Sequence, residues 1–499
     1  MKWIWRVILG GGMAAATIGK AAAARRMCLL TDVEGNWQYV RNVARQSSCL
    51  RLVSRGLTPA AVSSDVYNDE DLEIADDCVL VFGGDAGDKG AETLKCYDQL
   101  VRLKKRHPER VVLLVGNRDA NKMRFTSELD DSEMDLNTMT REIRDGPVWV
   151  PQAKRVTLLD YLRQQVDGDG TCKAEGEAGA ESTESLAAVN TKVNRLKWML
   201  EHTMGSQDDF ERRRKELAMR SNETTTSAVD DEDVLRSFID SVEEGGTIRD
   251  YLRLGSLAFI SDRTLFVHGG IMNGDVVLLG KVPDEPDVQY ESVSEWVDKL
   301  NGWYQREVQA WIDQPTWSSD QSTRGGNELL KYVLPDYPTS VVMGRHLLPS
   351  GMPALLPSST IKTLAANGID KVIVGHTPHG NCPTVINQGG KEVGSASMQV
   401  IMCDTSYSDA KADDNRGIAA SDVVLEPDGT VQIRGVLENG RPISYTTSDS
   451  IIGRTTKDGM QVKAKMADAD DEYLVYSVQN GFSYSYGYRA AHELGQYYS

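Results

Sequence analysis

Short runs of apolar residues recur along the chain, and each is followed directly by glycine or polar residues. Runs that are apolar on both faces predict buried β-strands, and the amphipathic stretch from 91 to 106 predicts a crossover helix. The pattern therefore predicts a layered α/β fold. Ligand sites in such folds form at the carboxyl ends of strands, so the polar residues after the runs are the candidate site residues. The runs are Met27–Thr31, Cys78–Phe82, Val111–Val115, Leu265–Val267 and Lys371–Val374.

A long segment without this pattern separates the third run from the fourth. Residues 167–184 are acidic and rich in small residues, a composition typical of a disordered loop. The stretch from Val193 to Met204 then repeats apolar residues at helical spacing. We therefore predict one domain over 27–445, interrupted by an acidic, partly helical insertion over 160–250.

The segment near the carboxyl terminus predicts a β-hairpin. Two strand-like stretches, Val423–Glu426 and Val431–Arg434, flank the turn sequence Pro427-Asp428-Gly429. Residues 446–499 follow as a predicted C-terminal extension.

The first 26 residues are basic, mostly apolar or small, and contain no acidic residue. This composition predicts a targeting leader over 1–26, with a mitochondrial presequence slightly favoured over a secretory signal. Arg6 and Gly10–Gly12 interrupt the apolar run, so we predict no membrane span. A leader that is never removed stays open as an alternative, and the chain would then be cytoplasmic.

Composition narrows the function classes. The 499 residues include 55 Lys and Arg against 73 Asp and Glu, a net charge of -18 that argues against a general nucleic-acid or anionic-membrane binder. Apolar residues at 40% and charged residues at 26% indicate a globular protein and exclude collagen and wholesale disorder. The seven cysteines are odd in number and form no CxxC pair, so we predict no disulfide framework, no thiolate zinc site and a reducing compartment.

Five short motifs follow the apolar runs in a fixed order. They are Asp32-Val33-Glu34-Gly35-Asn36, Gly84-Asp85-Ala86-Gly87-Asp88-Lys89-Gly90, Gly116-Asn117-Arg118-Asp119, His268-Gly269-Gly270 and Gly375-His376-Thr377-Pro378. Together they resemble the calcineurin-like metallophosphoesterase superfamily, most closely its phosphoprotein phosphatase branch and the bacterial dinucleoside tetraphosphatases. That branch carries GDxHG, GDxxDRG, GNHE, HGG and a late histidine. The resemblance covers about residues 27–405 and implies a four-layer αββα sandwich.

The resemblance implies a site for two divalent ions. Such a pair needs a bridging carboxylate, further oxygen or imidazole ligands, and open positions for water and phosphate. Oxygen-rich ligands favour Mn²⁺ or Mg²⁺, with Fe or Zn²⁺ as alternatives. Each residue alone could be an ordinary turn residue or a core histidine, but the ordered set favours a metal site. The implied ligands are Asp85 as the bridge, Asp32 and Glu34 for the first ion, and Asn117, His268 and His376 for the second.

Two residues depart from the family's pattern. Glu34 stands where the family has histidine; if it points away, the first ion is weak or absent, and His379 could substitute. Arg118 replaces the histidine that is thought to protonate the leaving oxygen, and an arginine cannot donate a proton at neutral pH. It can clamp phosphate, steadied by Asp88. We therefore expect preference for leaving groups that need no proton, or, alternatively, a protein that no longer hydrolyses anything.

Two further cations are candidate phosphate contacts. Lys89 occupies the position of the arginine in GDxxDRG, and the stretch from Trp317 to Arg324 is similar to a phosphatase segment that supplies a second phosphate arginine. Arg124 is equally explained by a solvated helix face, and His346 is expected to be structural.

The predicted function is metal-dependent hydrolysis of phosphomonoesters or phosphoanhydrides, with a phosphorylated protein or nucleotide as the partner. The alternatives are a dinucleoside polyphosphate or nucleotide hydrolase and a catalytically inactive binding protein of the same fold.

Overall fold

The structure is a computed structural model that describes residues 25–54, 70–147, 150–167, 183–221, 226–389, 397–405, 418–480 and 483–494. The predicted leader up to residue 24 and the acidic stretch 168–182 lie outside the described residues. No helix in the described ranges is long and apolar enough to cross a membrane.

The strands account for the predicted apolar runs. Within the described residues they are β1 (Arg26–Leu30), β2 (Leu50–Ser54), β3 (Glu70–Ile74), β4 (Cys78–Phe82), β5 (Val111–Leu113), β6 (Ala258–Ser261), β7 (Thr264–Val267), β8 (Met272–Asn273), β9 (Val276–Val277), β10 (Lys371–Val374), β11 (Thr384–Gln388), β12 (Met398–Met402), β13 (Ala420–Leu425), β14 (Val431–Val436), β15 (Pro442–Thr446), β16 (Gln461–Lys465), β17 (Glu472–Asn480) and β18 (Ser483–Ala490).

The helices lie mainly between these strands. In the same ranges they are α1 (Trp37–Gln46), α2 (Thr93–Arg106), α3 (Asn117–Asn121), α4 (Arg124–Glu128), α5 (Arg141–Arg144), α6 (Leu158–Asp167), α7 (Thr183–Val189), α8 (Lys192–Trp198), α9 (Asp209–Arg220), α10 (Asp231–Asp240), α11 (Thr247–Leu254), α12 (Val293–Asp313), α13 (Asn327–Tyr332) and α14 (Ser358–Ala366).

Two main sheets carry the apolar runs. The first has the order β15-β14-β13-β1-β4-β5, and the second has the order β11-β12-β10-β7-β6. In the first sheet β1, β4 and β5 are parallel, and in the second β7, β10 and β12 are parallel. The carboxyl ends of neighbouring parallel strands therefore lie at one edge of each sheet.

The sheets pack against each other, and helices cover their outer faces. Val79 and Val81 of β4 belong to one buried cluster with Phe266 and Ile373 of the second sheet. Alternate residues such as Leu80 point the other way, into a second buried cluster shared with the helices. The predicted four-layer αββα sandwich is therefore confirmed.

The segment predicted as an insertion adds α6 to α11 to one helical layer. Glu216 on α9 accepts hydrogen bonds from the backbone N–H groups of Leu94 (3.0 Å) and Lys95 (2.9 Å) in the first turn of α2. These are donors that a helix leaves without intrahelical partners, so a residue of the insertion caps a helix of the main domain.

The carboxyl-terminal strands β16, β17 and β18 form a separate three-stranded sheet. Their buried residues join the cluster between the main sheets. The buried ammonium of Lys463 donates to the backbone carbonyl of His379 (2.6 Å), and the N–H of Asn381 donates to the hydroxyl of Tyr486 (3.0 Å). The extension thus holds the loop that follows β10. The hairpin predicted around Asp428 is confirmed as the pair β13 and β14.

One expectation about cysteine is wrong. Cys49 and Cys78 form a disulfide with a Cα–Cα distance of 5.7 Å, although no sequence spacing pairs them. They meet because β2 and β4 start side by side: Ala75 N–H donates to Cys49 O, and Cys78 N–H donates to Ala75 O. Disulfides persist in oxidising compartments, so the predicted reducing compartment loses its support. Four other cysteines in the described ranges are buried and form no disulfide: Cys28, Cys96, Cys382 and Cys403.

Candidate metal centre

The strand ends of both sheets meet at one place. Asp32 follows β1, Asp85 follows β4, and His376 follows β10. The backbone N–H of His376 donates to both carboxylate oxygens of Asp32 (3.1 and 3.0 Å), which ties the two sheets together at this edge. Gly375 N–H donates to His268 O (2.7 Å), which joins the ends of β10 and β7.

Three side chains form a compact group of ligand atoms. Asp85, His268 and His376 each offer one atom, and these atoms lie within 4.8 Å of one another. The Nδ1 of His268 lies 2.7 Å from the carbonyl oxygen of Gly83. Because a carbonyl can only accept, Nδ1 carries a proton, and Nε2 is the nitrogen that can bind a metal once its own proton is displaced. This second partner fixes the ring as a ligand, as in metal sites.

Three candidate ligand atoms lack a hydrogen bond within the described residues, although His268 Nε2 lies 3.5 Å from Asp85 Oδ2. Among the described residues, His268 Nε2, His376 Nε2 and Asn117 Oδ1 are buried and accept or donate no hydrogen bond. Such atoms are costly unless a further group satisfies them. Two imidazole nitrogens, an amide oxygen and the Asp85 carboxylate form a suitable donor set for one divalent ion.

The backbone at the site is strained. Asp32 (φ 49°), Asp85 (φ 56°) and His376 (φ 67°) all adopt left-handed conformations, as do Glu34 and Asp88. Such residues persist where the surroundings over-determine them, and they concentrate at functional sites. The neighbouring Gly84 (φ +102°) shows how tight the space is, because a Cβ there would lie 2.7 Å from His268 Nδ1.

Asp119 clamps the turn that presents Asp85. Its buried carboxylate accepts from the backbone N–H groups of Asp85 (2.8 Å), Ala86 (2.9 Å) and Gly116 (2.8 Å) and from the Tyr97 hydroxyl (2.6 Å). The carboxylate therefore fixes the geometry of two motifs at once. The sequence placed this residue in the third motif without assigning it a role.

Arg118 lies in the middle of the carboxylates. Its Nε is 2.9 Å from Glu34 Oε1 and 3.7 Å from Asp85 Oδ2, and its Nη1 is 3.3 Å from Asp88 Oδ2. Lys89 Nζ lies 3.7 Å from the same oxygen of Glu34. Glu34 is therefore paired with two cations. The remaining nitrogen of Arg118, Nη2, donates no hydrogen bond to a described residue.

Asp88 has a second cationic partner that the sequence did not single out. The ammonium of Lys122, which is fully buried, forms an ion pair with Asp88 Oδ1 and donates to Arg118 O (3.2 Å). Burial raises the pKa of Asp88, but Lys122 and Arg118 outweigh it and hold that pKa below its ordinary value. Asp88 is thus a fixed anion that positions Arg118.

The charges of the cluster are set by its neighbours. Burial and then the Asp404 carboxylate raise the pKa of Asp32 well above its usual value. Burial works against ionisation of Asp85 too, but His268 and Arg118 lower the pKa of Asp85 below its ordinary value. Burial lowers the pKa of His268, and the Asp85 carboxylate outweighs it and raises that pKa to about 9. Negative charge therefore concentrates on Asp85, at the centre of the group.

Residues of the segment predicted as an insertion line a cleft together with Asn117. A cleft of about 420 Å³ begins at Asn117 and is bounded by 201–205 and Gln207 of the insertion, by Lys154 and by Met343. Gly205 O also lies 3.4 Å from Arg118 Nη1. Residues 201–205 and Gln207 thus form a wall of the cleft next to Asn117, a contact that sequence patterns did not predict.

Arg324, predicted as a phosphate contact, is engaged elsewhere. Its buried guanidinium donates to Ser127 Oγ (2.7 Å) and pairs with Glu128 (3.3 Å) and Glu142 (2.6 Å). Arg124 binds the same carboxylate, Glu128, at 2.6 Å. The structure therefore gives Arg324 a role in the packing of α4 and α5, because acidic partners from distant segments capture its side chain.

Two histidines considered in the sequence are also structural. His379, the possible substitute ligand, has its ring nitrogens 2.7 Å from Thr384 Oγ1 and 3.0 Å from Gly351 O. His346 Nε2 accepts from the N–H of Ile271 (3.3 Å). Neither ring joins the group around Asp85.

No protein-family model matches the chain, and no curated protein matches it. Solved structures that are similar include the cold-active protein-tyrosine phosphatase of a psychrophilic Shewanella sp. (14% identity, 84% of this chain and 80% of that chain, TM-score 0.35). A protein serine/threonine phosphatase from Saccharomyces cerevisiae is similar at 11% identity (86% and 81%, TM-score 0.32). A metallophosphoesterase from Sphaerobacter thermophilus is similar at 11% (83% and 88%, TM-score 0.26). At these values the similarities carry no assignment of function, which has to come from the residues of this chain.

Proposed function

We propose that the chain is a metal-dependent phosphoesterase of the metallophosphoesterase type, which hydrolyses phosphomonoesters or phosphoanhydrides. The observation that carries the proposal is the convergence of Asp85, His268 and His376, with Asn117 Oδ1 and the two imidazole Nε2 atoms buried and unpartnered. Asp85, His268 and His376 follow three separate strands, and Asn117 lines a cleft of a size suited to a small substrate.

A divalent ion held by these four residues would supply a Lewis acid that lowers the pKa of water and polarises phosphoryl oxygens. We propose Mn²⁺ as the ion, because carboxylate and amide oxygens beside imidazole suit it. The clamp of Asp119 on Asp85 and the carbonyl of Gly83 on His268 pre-orient two of the ligands.

Arg118 is proposed to bind the phosphoryl group. Its Nε and Nη1 are held by Glu34 and Asp88, so the direction of the guanidinium is fixed before substrate arrives. Nη2 donates no hydrogen bond to a described residue and can donate to a phosphoryl oxygen. Lys89, which is partly exposed beside Glu34, adds a second positive charge at the same mouth.

The same arginine determines which leaving groups are suitable. Burial lowers the pKa of Arg118, but the carboxylates of Glu34 and Asp88 raise it above its already high ordinary value. The guanidinium therefore stays charged and gives no proton to a departing oxygen. Aryl phosphates and phosphoanhydrides, whose leaving groups depart as stable anions, are the proposed substrate classes.

The proposal is tested with full-length protein that has been stripped by a chelator and then supplied with Mn²⁺. We expect turnover of an aryl phosphate to return with Mn²⁺ and to fall at least about 100-fold in His376→Ala. Arg236→Ala is the matched control, because Arg236 is exposed and, within the described residues, forms its ion pair with Asp233. Unchanged turnover in His376→Ala would contradict the proposal, and Mn²⁺ binding without turnover on any phosphate would identify a binding protein instead.

A further inference from the structure

We infer that this chain holds one divalent ion where the sequence resemblance implies two, because Arg118 and Lys89 occupy the charge position of the first ion. The inference rests on the proposed function and concerns the side of the site formed by Asp32 and Glu34. It predicts a mononuclear metal centre with the guanidinium of Arg118 beside the ion.

Glu34 is already neutralised by protein groups. Its Oε1 lies 2.9 Å from Arg118 Nε and 3.7 Å from Lys89 Nζ. The same Nε lies 3.7 Å from Asp85 Oδ2. The guanidinium therefore stands between the two carboxylates that a first ion would have to join.

Asp32 is also engaged by the protein. Both of its carboxylate oxygens accept from the N–H of His376, and Oδ2 also accepts from the hydroxyl of Thr31. Across the described ranges, the carboxylates, imidazoles and thiolates assemble into one metal-sized group, and it contains neither Asp32 nor Glu34. Asp32 instead links the ends of β1 and β10.

A second divalent cation beside Asp32 and Glu34 would be repelled by the permanent positive charge of Arg118. Arginine does not deprotonate in proteins, and Asp88 holds Arg118 in place while Lys122 in turn holds Asp88. Like charges at contact distance repel strongly in a partly buried site. A mobile side chain could move away, but Arg118 is fixed by Glu34 on one side and Asp88 on the other.

The test counts ions and detects their coupling without an activity assay. Full-length chain stripped by a chelator is titrated with Mn²⁺, bound metal is measured by elemental analysis, and the spectrum is recorded by electron paramagnetic resonance. We expect one Mn²⁺ per chain with a mononuclear spectrum. Two ions about 3.5–4 Å apart would couple magnetically, and a coupled signal or two ions in the unmodified protein would overturn the inference.

The variant Arg118→Ala releases Glu34 and should double the bound metal to two ions per chain, with a coupled spectrum. Arg236→Ala should still bind one Mn²⁺ per chain, since Arg236 is exposed and pairs with Asp233, not with these carboxylates. One ion in Arg118→Ala, in protein whose circular dichroism matches the unmodified chain, would contradict the assignment of Arg118 as the blocking group. If Arg118→Ala does not fold, the count in the unmodified chain decides alone.

His376→Ala separates this inference from the proposed function. Loss of all tight Mn²⁺ binding in that variant supports the metal centre itself. Two ions in the unmodified protein and none in His376→Ala would overturn the mononuclear inference and leave the proposed function standing. Unchanged binding in His376→Ala would overturn both.

Discussion

The missing proton donor can be tested through the leaving group of the substrate. In the proposed site Arg118 lies where a general acid would act, with Nη1 3.3 Å from Asp88 Oδ2. General acid catalysis contributes about 10²–10⁴-fold, which corresponds to about 3–5 kcal/mol of activation free energy. We therefore expect kcat/KM for an alkyl phosphate to lie about 10²–10⁴-fold below that for an aryl phosphate, at pH 7 with Mn²⁺.

The variant Arg118→His should narrow this gap. A histidine beside Asp88 would be held by a fixed anion and could donate a proton, so turnover of the alkyl phosphate should rise relative to the aryl phosphate. Its turnover should also fall as pH rises through the pKa of the new histidine, because only the imidazolium donates. The aryl phosphate should lose activity in the same variant, because the contact of Nη2 with phosphate is gone.

The assay compares kcat/KM for p-nitrophenyl phosphate and for phosphoserine in the unmodified chain, in Arg118→His and in the control Arg236→Ala. Equal values for the two substrates in the unmodified chain would refute the leaving-group argument. An unchanged ratio in Arg118→His, together with no dependence on pH, would show that the residue at 118 does not control protonation.

Three further predictions concern stability. Arg324→Ala should lower the free energy of unfolding by about 1–3 kcal/mol, because Ser127 and Glu128 lose hydrogen bonds to a buried cation while Arg124 still neutralises Glu128. The value of kcat/KM per folded molecule should stay unchanged. A selective loss of kcat/KM would instead support the phosphate role. Burial raises the pKa of Glu128, but Arg124 and Arg324 outweigh it and lower that pKa below its ordinary value. The ionised carboxylate therefore stabilises the fold above about pH 4.3, and this stabilisation is lost as pH falls through the folded-state pKa. The loss of unfolding free energy in Glu128→Gln, measured by urea melts, should shrink in acid, and a loss that stays constant with pH would contradict this. The disulfide Cys49–Cys78 closes a loop of 29 residues, so its reduction should lower the free energy of unfolding by about 3–4 kcal/mol in denaturant melts. An unfolding midpoint that does not shift with reductant would show that the bond does not form.

The strands were predictable because burial on two faces leaves a direct mark on the sequence. The run at Cys78–Phe82 coincides with β4, and the run at Lys371–Val374 coincides with β10. Since parallel strands end at a common edge, the residues after them could be expected to meet, and the group around Asp85 follows from that geometry.

Several side-chain contacts near the site could not be predicted from the sequence. A short motif indicates that a charged residue is present but not where its side chain points. Arg324 is captured by Glu128 and Glu142, which lie more than 180 positions away in the chain. Lys122 carries no motif signal at all, and only the assembled fold shows that it is buried against Asp88. The contact of Gly205 with Arg118 likewise depends on how the insertion packs.

The central claim is that Asp85, Asn117, His268 and His376 together hold a divalent cation. A crystal of the full-length chain soaked in Mn²⁺ tests it directly through anomalous diffraction at the manganese edge. The account predicts a strong peak within metal–ligand distance, about 2.0–2.3 Å, of His268 Nε2, His376 Nε2 and an oxygen of Asp85. An anomalous peak remote from these atoms would contradict the claim. So would clear electron density in which no metal is bound and both imidazole rings point away from the centre.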